Sequence, residues 1–283
     1  MATFFNQATL SYNGTVTNSN LASGELLAGA DLSKIALNEE YSTNGAVTYA
    51  VSYTNTTGVP ISNATLTDDL GAFTLGAITV YPLEYSAGSL KYYVNGVLQP
   101  TPTVTAGPPL VISGITVPAG GNILVVYEAN TNEFTPRAQG STLTNTVTAP
   151  QGVGDPLTAS STVTVADEVN LSISKSICPN TVTDGATVTY TFVIQNMGNT
   201  PAVATDNIIV SDTFDPILTG ITVTLDGNAL TLGDDYTYDE ATGAFATVQS
   251  VITVPAATYT TDSATGVITT TPGVAVLTVT GTI

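Results

Sequence analysis

The chain has 283 residues, enough for two domains, and its 43% hydrophobic content can build real cores. Twenty-two acidic residues stand against four cations, Lys34, Lys91, Arg137 and Lys175, for a net charge of −18, so a nucleic-acid partner is excluded and an anionic membrane surface is disfavoured. With no His and a single Cys, a Ser-His-Asp triad, an internal disulfide framework and a multi-thiolate metal site all drop out.

Thr, Val, Ala, Asn and Gly dominate, and runs of helix formers are absent, which predicts an all-β fold with many turns. No apolar run reaches the length of a membrane span, so no membrane insertion is expected. A basic stretch followed by an apolar one is missing near Met1. The expectation is either prior removal of a secretory signal or release by another route.

The first stretch, Thr3 to Tyr12, reads as one strand. The two-residue period puts Phe4, Asn6, Ala8, Leu10 and Tyr12 on one face. Asn13-Gly14 is a hairpin turn signal, Thr15 to Leu21 a return strand, and Gly24 to Gly29 a linker. Residues 1–29 are thus a hairpin with no neighbour in sequence to pair with.

Residues 30–166 read as the first sandwich domain. Its strands are expected at Ala30 to Lys34, Val47 to Tyr53, Asn63 to Leu70, the Asn95-Gly96 hairpin, Ile123 to Ala129, and a closing pair at Leu143 to Ala149 and Ser161 to Val165. Residues 167–283 repeat the plan: Val169 to Ile177, Val188 to Ile194, Asn207 to Phe214, the Asp226-Gly227 hairpin, and Val274 to Val279. The sequence reaches Ile283 before a second closing pair. Two copies of one plan indicate tandem immunoglobulin-like β-sandwiches. The expectation is that the N-terminal hairpin of one molecule donates the strand missing from the second domain of another copy.

Three polar residue types recur on apolar faces. Lys34 shares a face with Ala30 and Leu32, and Lys175 with Leu171 and Ile173. Asp68 shares a face with Leu66, and Asp212 with Val210. Asn145 lies between Leu143 and Val147 on one face, as Asn6 lies between Phe4 and Ala8. Buried Lys and Asp are costly unless paired. A desolvated neutral amine can attack the Asn side-chain carbonyl while a protonated Asp polarises it and relays protons as ammonia leaves. The plainer outcome for the same residues is a Lys–Asp salt bridge with the amide hydrogen-bonded nearby. Lys91, on a polar hairpin arm, reads as an ordinary solvated charge. Asp234-Asp235 and Asp239-Glu240 lack calcium-loop spacing and read as loop carboxylates. Cys178, just before Pro179, reads as a small strand-end residue, and Tyr49, Tyr53 and Tyr190 as packing.

Lys175, Asp184-Gly185-Ala186-Thr187-Val188-Thr189-Tyr190, Gln195-Asn196, Gly198-Asn199 and Val210-Ser211-Asp212-Thr213-Phe214 together resemble the conserved repeat of bacterial surface proteins known as the domain of unknown function eleven. Asn6-Gln7-Ala8-Thr9 and Asn145-Thr146-Val147-Thr148 resemble its closing strand. The resemblance implies a structural protein outside the cell, on a cell or spore surface, and not a turnover enzyme. It is also similar to isopeptide-forming, donor-strand-assembled pilus or spore-appendage subunits. That implies bonds Lys34–Asn145 within the chain and Lys175–Asn6 between copies, assisted by Asp68 and Asp212, with no cofactor and no metal. The alternative is a surface adhesin or surface-layer binding module using the segments Thr101 to Gly114 and Asp235 to Gly243 as binding loops.

Overall fold

The computed structural model describes residues 2–26, 29–150 and 155–283. Among the described residues the chain is all β, with one 3-10 turn at Ala204–Asp206 and no α-helix. It divides into two compact units, residues 1–135 with 142–164 and residues 136–141 with 165–283.

The first unit opens with β1 (Ala2–Asn6), β2 (Thr9–Tyr12), β3 (Thr15–Asn18) and β4 (Ala22–Leu26). Strands β2 and β3 join through Asn13 and Gly14, both at positive φ, the two-residue turn that Asn-Gly favours because its twist matches the strands. Strand β1 pairs with β4. The expected single strand from Thr3 to Tyr12 is broken at Gln7 and Ala8. There Ser19, Asn20 and Leu21 lie opposite two residues, a bulge pinned by Ala8 N donating to Ser19 Oγ at 2.9 Å. The expected linker is also shorter, because β4 runs to Leu26. Residues 27 and 28 and the Phe4 side chain lie outside the described residues.

The sandwich of this unit uses β5 (Ala30–Ala36), β6 (Glu40–Tyr41), β7 (Ala46–Asn55), β8 (Ile61–Asp68), β9 (Phe73–Leu75), β10 (Ile78–Val80) and β11 (Leu83–Tyr85). It continues with β12 (Lys91–Val94), β13 (Val97–Gln99), β14 (Thr103–Thr105), β15 (Leu110–Val117), β16 (Asn122–Thr131), β17 (Thr142–Ala149) and β18 (Leu157–Val165). One sheet runs β13-β12-β16-β7-β5, with β11 also on β16. The other runs β14-β15-β8-β17-β18-β6. Alternation along β7, β8, β16 and β17 turns one face of each inward. Tyr49, Tyr53, Leu66, Ile112, Val125 and Tyr127 fill the interior.

The second unit contains β19 (Leu171–Cys178), β20 (Thr187–Asn196), β21 (Ser211–Thr213), β22 (Thr219–Leu225), β23 (Asn228–Ala229), β24 (Tyr236–Asp239), β25 (Ala244–Thr247), β26 (Thr258–Thr261), β27 (Ile268–Thr271) and β28 (Gly273–Thr282). Its main sheet runs β19-β20-β28-β22-β23. That is the order β5-β7-β16-β12-β13 of the first unit, strand for strand. The facing sheet is β21-β25-β24 among the described residues, and Phe214, Phe245, Val188 and Leu277 share the core between the layers. Each unit is a two-layer sandwich of the immunoglobulin-like kind.

The same turn closes β7 and β20. Asn55 and Asn196 are fully buried, and each amide donates to the carbonyl four residues on, Val59 O and Thr200 O, at 2.8 Å. Asn196 Oδ1 also accepts Gly198 N at 2.9 Å and Asn170 N at 3.0 Å. Residue 198 must be glycine because a Cβ there would lie 2.0 Å from Glu168 O.

Three expectations for strands need correction. Asn207 to Phe214 is a strand only over Ser211–Thr213, where it pairs with β25; Asn207 ends the 3-10 turn at φ 55°. Thr101 to Gly114 carries β14 and most of β15, and Asp235 to Gly243 carries β24. Their Pro and Asp residues hid short strands whose inward residues, such as Leu110, Ile112 and Tyr236, are buried. Residues 151–154 of the loop joining β17 to β18 lie outside the described residues.

Candidate functional site

Lys34, Asp68 and Asn145 arrive in one place from three strands, and all are buried: 5%, 1% and 0% exposed. Strand β5 aims Lys34 inward, β8 ends on Asp68, and β17 brings Asn145 from the same sheet as β8. The Lys34 ammonium pairs with Asp68 Oδ2. Asp68 Oδ1 accepts Leu70 N at 3.0 Å, the turn that Asp favours when it reads the backbone two residues on. The Gly71 N–H is shared between Asp69 Oδ1 at 2.9 Å and Asn145 Oδ1 at 3.2 Å. Gly71 sits at φ 72°, where a side chain would be strained.

Two tyrosines complete this site. The Tyr127 hydroxyl donates to Asp68 Oδ2, and Asn145 Nδ2 donates to the same hydroxyl at 3.5 Å. The Tyr49 ring lies 4.6 Å from Lys34 Nζ and the Tyr127 ring 5.9 Å, positions that stabilise a cation over a π face. Burial pulls the Lys34 amine below the usual lysine range, and the Asp68 charge opposes it. Burial, then the Asp68 charge, pushes the Tyr127 phenol well above the usual range.

The second site holds the same pair with less cover. The Lys175 ammonium pairs with Asp212 Oδ2, and their side chains are 40% and 18% exposed. Lys175 Nζ lies 4.5 Å from the Tyr190 ring, 5.3 Å from Phe214 and 5.5 Å from Phe192. Lys175 is expected to point into the core of the second domain, which lacks its closing strands. It faces the apolar side, but β19 is exposed along its whole length, with Leu171, Ile173 and Ile177 at 37%, 56% and 37%. A groove of about 340 Å³ runs over Ile173, Lys175, Phe192, Ile209 and Asp212.

The reason is a difference in pairing. In the first unit β17 lies beside β8, with Val147 opposite Asp68 and Thr148 opposite Thr67. In the second unit β21 pairs with β25 alone among the described residues, so its other edge is bare beside Asp212. Asn6 is exposed on the N-terminal hairpin, as are Ala8, Leu10 and Tyr12. The described strands of that hairpin pair only with one another. Asn6 belongs to the first unit and Lys175 to the second. Lys91 is exposed, as expected of a solvated charge. Cys178 is a free, exposed thiol at the end of β19.

Sequence reasoning missed Tyr127. Within the expected strand Ile123 to Ala129, Tyr127 falls on the inward face with Ile123 and Val125. A lone hydroxyl on that face was the available signal.

No family model matches the chain, and no curated protein matches it. The chain is similar to the major pilin subunit of Bacillus cereus, at 13% identity over 96% of this chain and 73% of that one, with a TM-score of 0.37. It is also similar to the C-terminal domain of an antigen I/II-family protein of Streptococcus pyogenes, at 11% identity over 90% and 92%, with a TM-score of 0.37. The pilus backbone of Streptococcus pneumoniae follows at 14% identity over 87% and 55%, with a TM-score of 0.35. Similarity this low carries no inference about function.

Proposed function

We propose that this protein is the structural subunit of an extracellular filament on a cell or spore surface, assembled head to tail from copies of itself. The N-terminal hairpin of one copy fills the bare side of the second unit of the next. One observation carries this: two main sheets of identical strand order, of which, among the described residues, only the first has a β17–β18 pair over its Lys–Asp site. The hairpin supplies the absent pair. It is a two-armed ribbon of the same kind, with Asn6 opposite Ala22 where β17 has Asn145 opposite Ser161.

Matching Asn6 to Asn145 sets the register. Ala8 lies opposite Asp212 and Thr9 opposite Ser211, as Val147 and Thr148 lie opposite Asp68 and Thr67. Main-chain pairing gives affinity and the alternate side chains give register. A donor and acceptor on opposite parts of one chain make a heterologous contact, which propagates as an open fibre. Negative-stain microscopy of the purified protein tests this. Filaments are expected; a strictly monomeric particle at high concentration contradicts it.

Lys–Asn isopeptide bonds reinforce the polymer, Lys34–Asn145 within each subunit and Lys175–Asn6 across each junction. Asp68 and Asp212 assist bond formation in the two sites by relaying protons. The reaction happens once per site, so it is maturation and not turnover. Asp68→Ala is expected to leave the Lys34–Asn145 bond unmade, so intact mass retains the ammonia that wild type loses. Removing one partner of a buried pair also costs about 3–5 kcal/mol, so thermal unfolding of the first unit should fall sharply. Equal masses for wild type and variant contradict the internal bond.

A further inference from the structure

The first site contains a hydroxyl that the second lacks. Tyr127 is opposite Tyr49 in the β7–β16 ladder, and Lys34 is opposite Val51 in the β5–β7 ladder. In the second unit Lys175 is opposite Phe192, and Tyr190, two residues earlier, is opposite Val279. Val279 therefore occupies the place of Tyr127. The Tyr127 hydroxyl touches both the acid and the nitrogen that must leave: it donates to Asp68 Oδ2 and accepts from Asn145 Nδ2. It is 1% exposed, so bulk water does not compete for that position.

We propose that Tyr127 is a catalytic residue of the first site, carrying the proton from Asp68 to the departing nitrogen of Asn145, an assignment that rests on the bond-forming function proposed above. Lys34 first gives a proton to Asp68, and the neutral amine attacks Cγ of Asn145. The Nζ–Cγ bond forms while the carbonyl electrons shift onto Oδ1, which faces the Gly71 N–H. As Nδ2 becomes tetrahedral it gains a lone pair, and its hydrogen bond with Tyr127 reverses. Tyr127 passes its proton to Nδ2 and takes the one on Asp68. The Cγ–Nδ2 bond breaks and ammonia leaves. The second proton shed by Nζ returns through Asp68 and departs on ammonia as ammonium. Lysine ammonium and amide become a secondary amide and ammonium, with no oxidant or reductant. The phenol stays protonated throughout the physiological range, held up by burial and by the Asp68 charge, which suits a relay and not a base. At the second site Asp212 must deliver its proton directly.

The test uses the full chain, wild type and Tyr127→Phe, made in a cell-free reaction, with samples taken after translation is stopped. Proteolysis and mass spectrometry quantify the branched peptides Lys34–Asn145 and Lys175–Asn6 in the same samples. Tyr127→Phe is expected to slow the first bond by about 100-fold or more, the scale of positioned acid–base catalysis, and to leave the second rate unchanged. A first-site rate equal to wild type overturns the assignment while leaving the bond-forming function standing. Absence of both branched peptides from wild type overturns that function instead. A second measurement covers the case of a misfolded variant: in mixtures of light and heavy water, the wild-type first-site rate is expected to curve with deuterium fraction, as two protons in flight require. A linear dependence there overturns the relay.

Discussion

Deleting residues 1–24 is expected to abolish filament formation while leaving the unfolding transition of the first sandwich where it was. The described strands of the hairpin pair only with each other, and β5 to β18 complete two sheets without them. The loss falls on the second unit. Its β19 keeps Leu171, Ile173 and Ile177 exposed, and β21 keeps a bare edge, a template for unspecific pairing. Burying a side chain such as Leu10 in that groove contributes roughly 1.5–3 kcal/mol. Losing the whole ribbon removes several such terms together with the main-chain bonds. The truncated protein should therefore be monomeric at low concentration and aggregate without order at high concentration. Size-exclusion chromatography and electron microscopy read both outcomes, and normal filaments from the truncated chain contradict strand donation.

Asn6→Ala, Lys175→Ala and Asp212→Ala are each expected to give filaments of normal appearance that fall to monomer on boiling in detergent with reductant. Wild-type filaments should instead give a ladder, or material too large to enter the gel. Most of the apolar contact between ribbon and groove survives each substitution, so insertion persists while the covalent seal is lost. The reductant matters because Cys178 is free and exposed and an intermolecular disulfide would imitate the seal. Before assembly Lys175 is paired with Asp212 and partly open to solvent. On the proposed assembly, covering this site with the ribbon removes water and brings Asn6 at the same moment, which would confine reaction to completed junctions.

Much of this architecture is legible in the sequence. Asn13-Gly14, Asn95-Gly96 and Asp226-Gly227 mark turns whose residues all take positive φ. The period-2 pattern places Lys34, Asp68 and Asn145 inward, and all three are buried. What the pattern did not give follows from long-range pairing. The break at Gln7 and Ala8 comes from a bulge three residues deep on the opposite arm, which local alternation cannot register. Strand β15 was obscured by Pro108 and Pro109 just ahead of it, and β21 is short because only Ser211–Thr213 find a partner, in β25. Tyr127 was missed because aromatic residues on inward faces are usually packing, and its polar contacts appear only when β8 and β17 set Asp68 and Asn145 on either side of its hydroxyl.

The measurement closest to the central claim adds a synthetic peptide of residues 1–26 to the chain that begins at residue 25, and follows backbone amide exchange. Saturable binding of one peptide per chain is expected, with slowed exchange at Ser211–Thr213 and along Leu171–Cys178, and unchanged exchange in β5 and β8. Peptide carrying Asn6 should then become covalently attached through Lys175 with loss of ammonia, and peptide carrying Asn6→Ala should bind and wash away. Absence of binding, or protection that avoids β19 and β21, contradicts assembly by donation of the N-terminal hairpin.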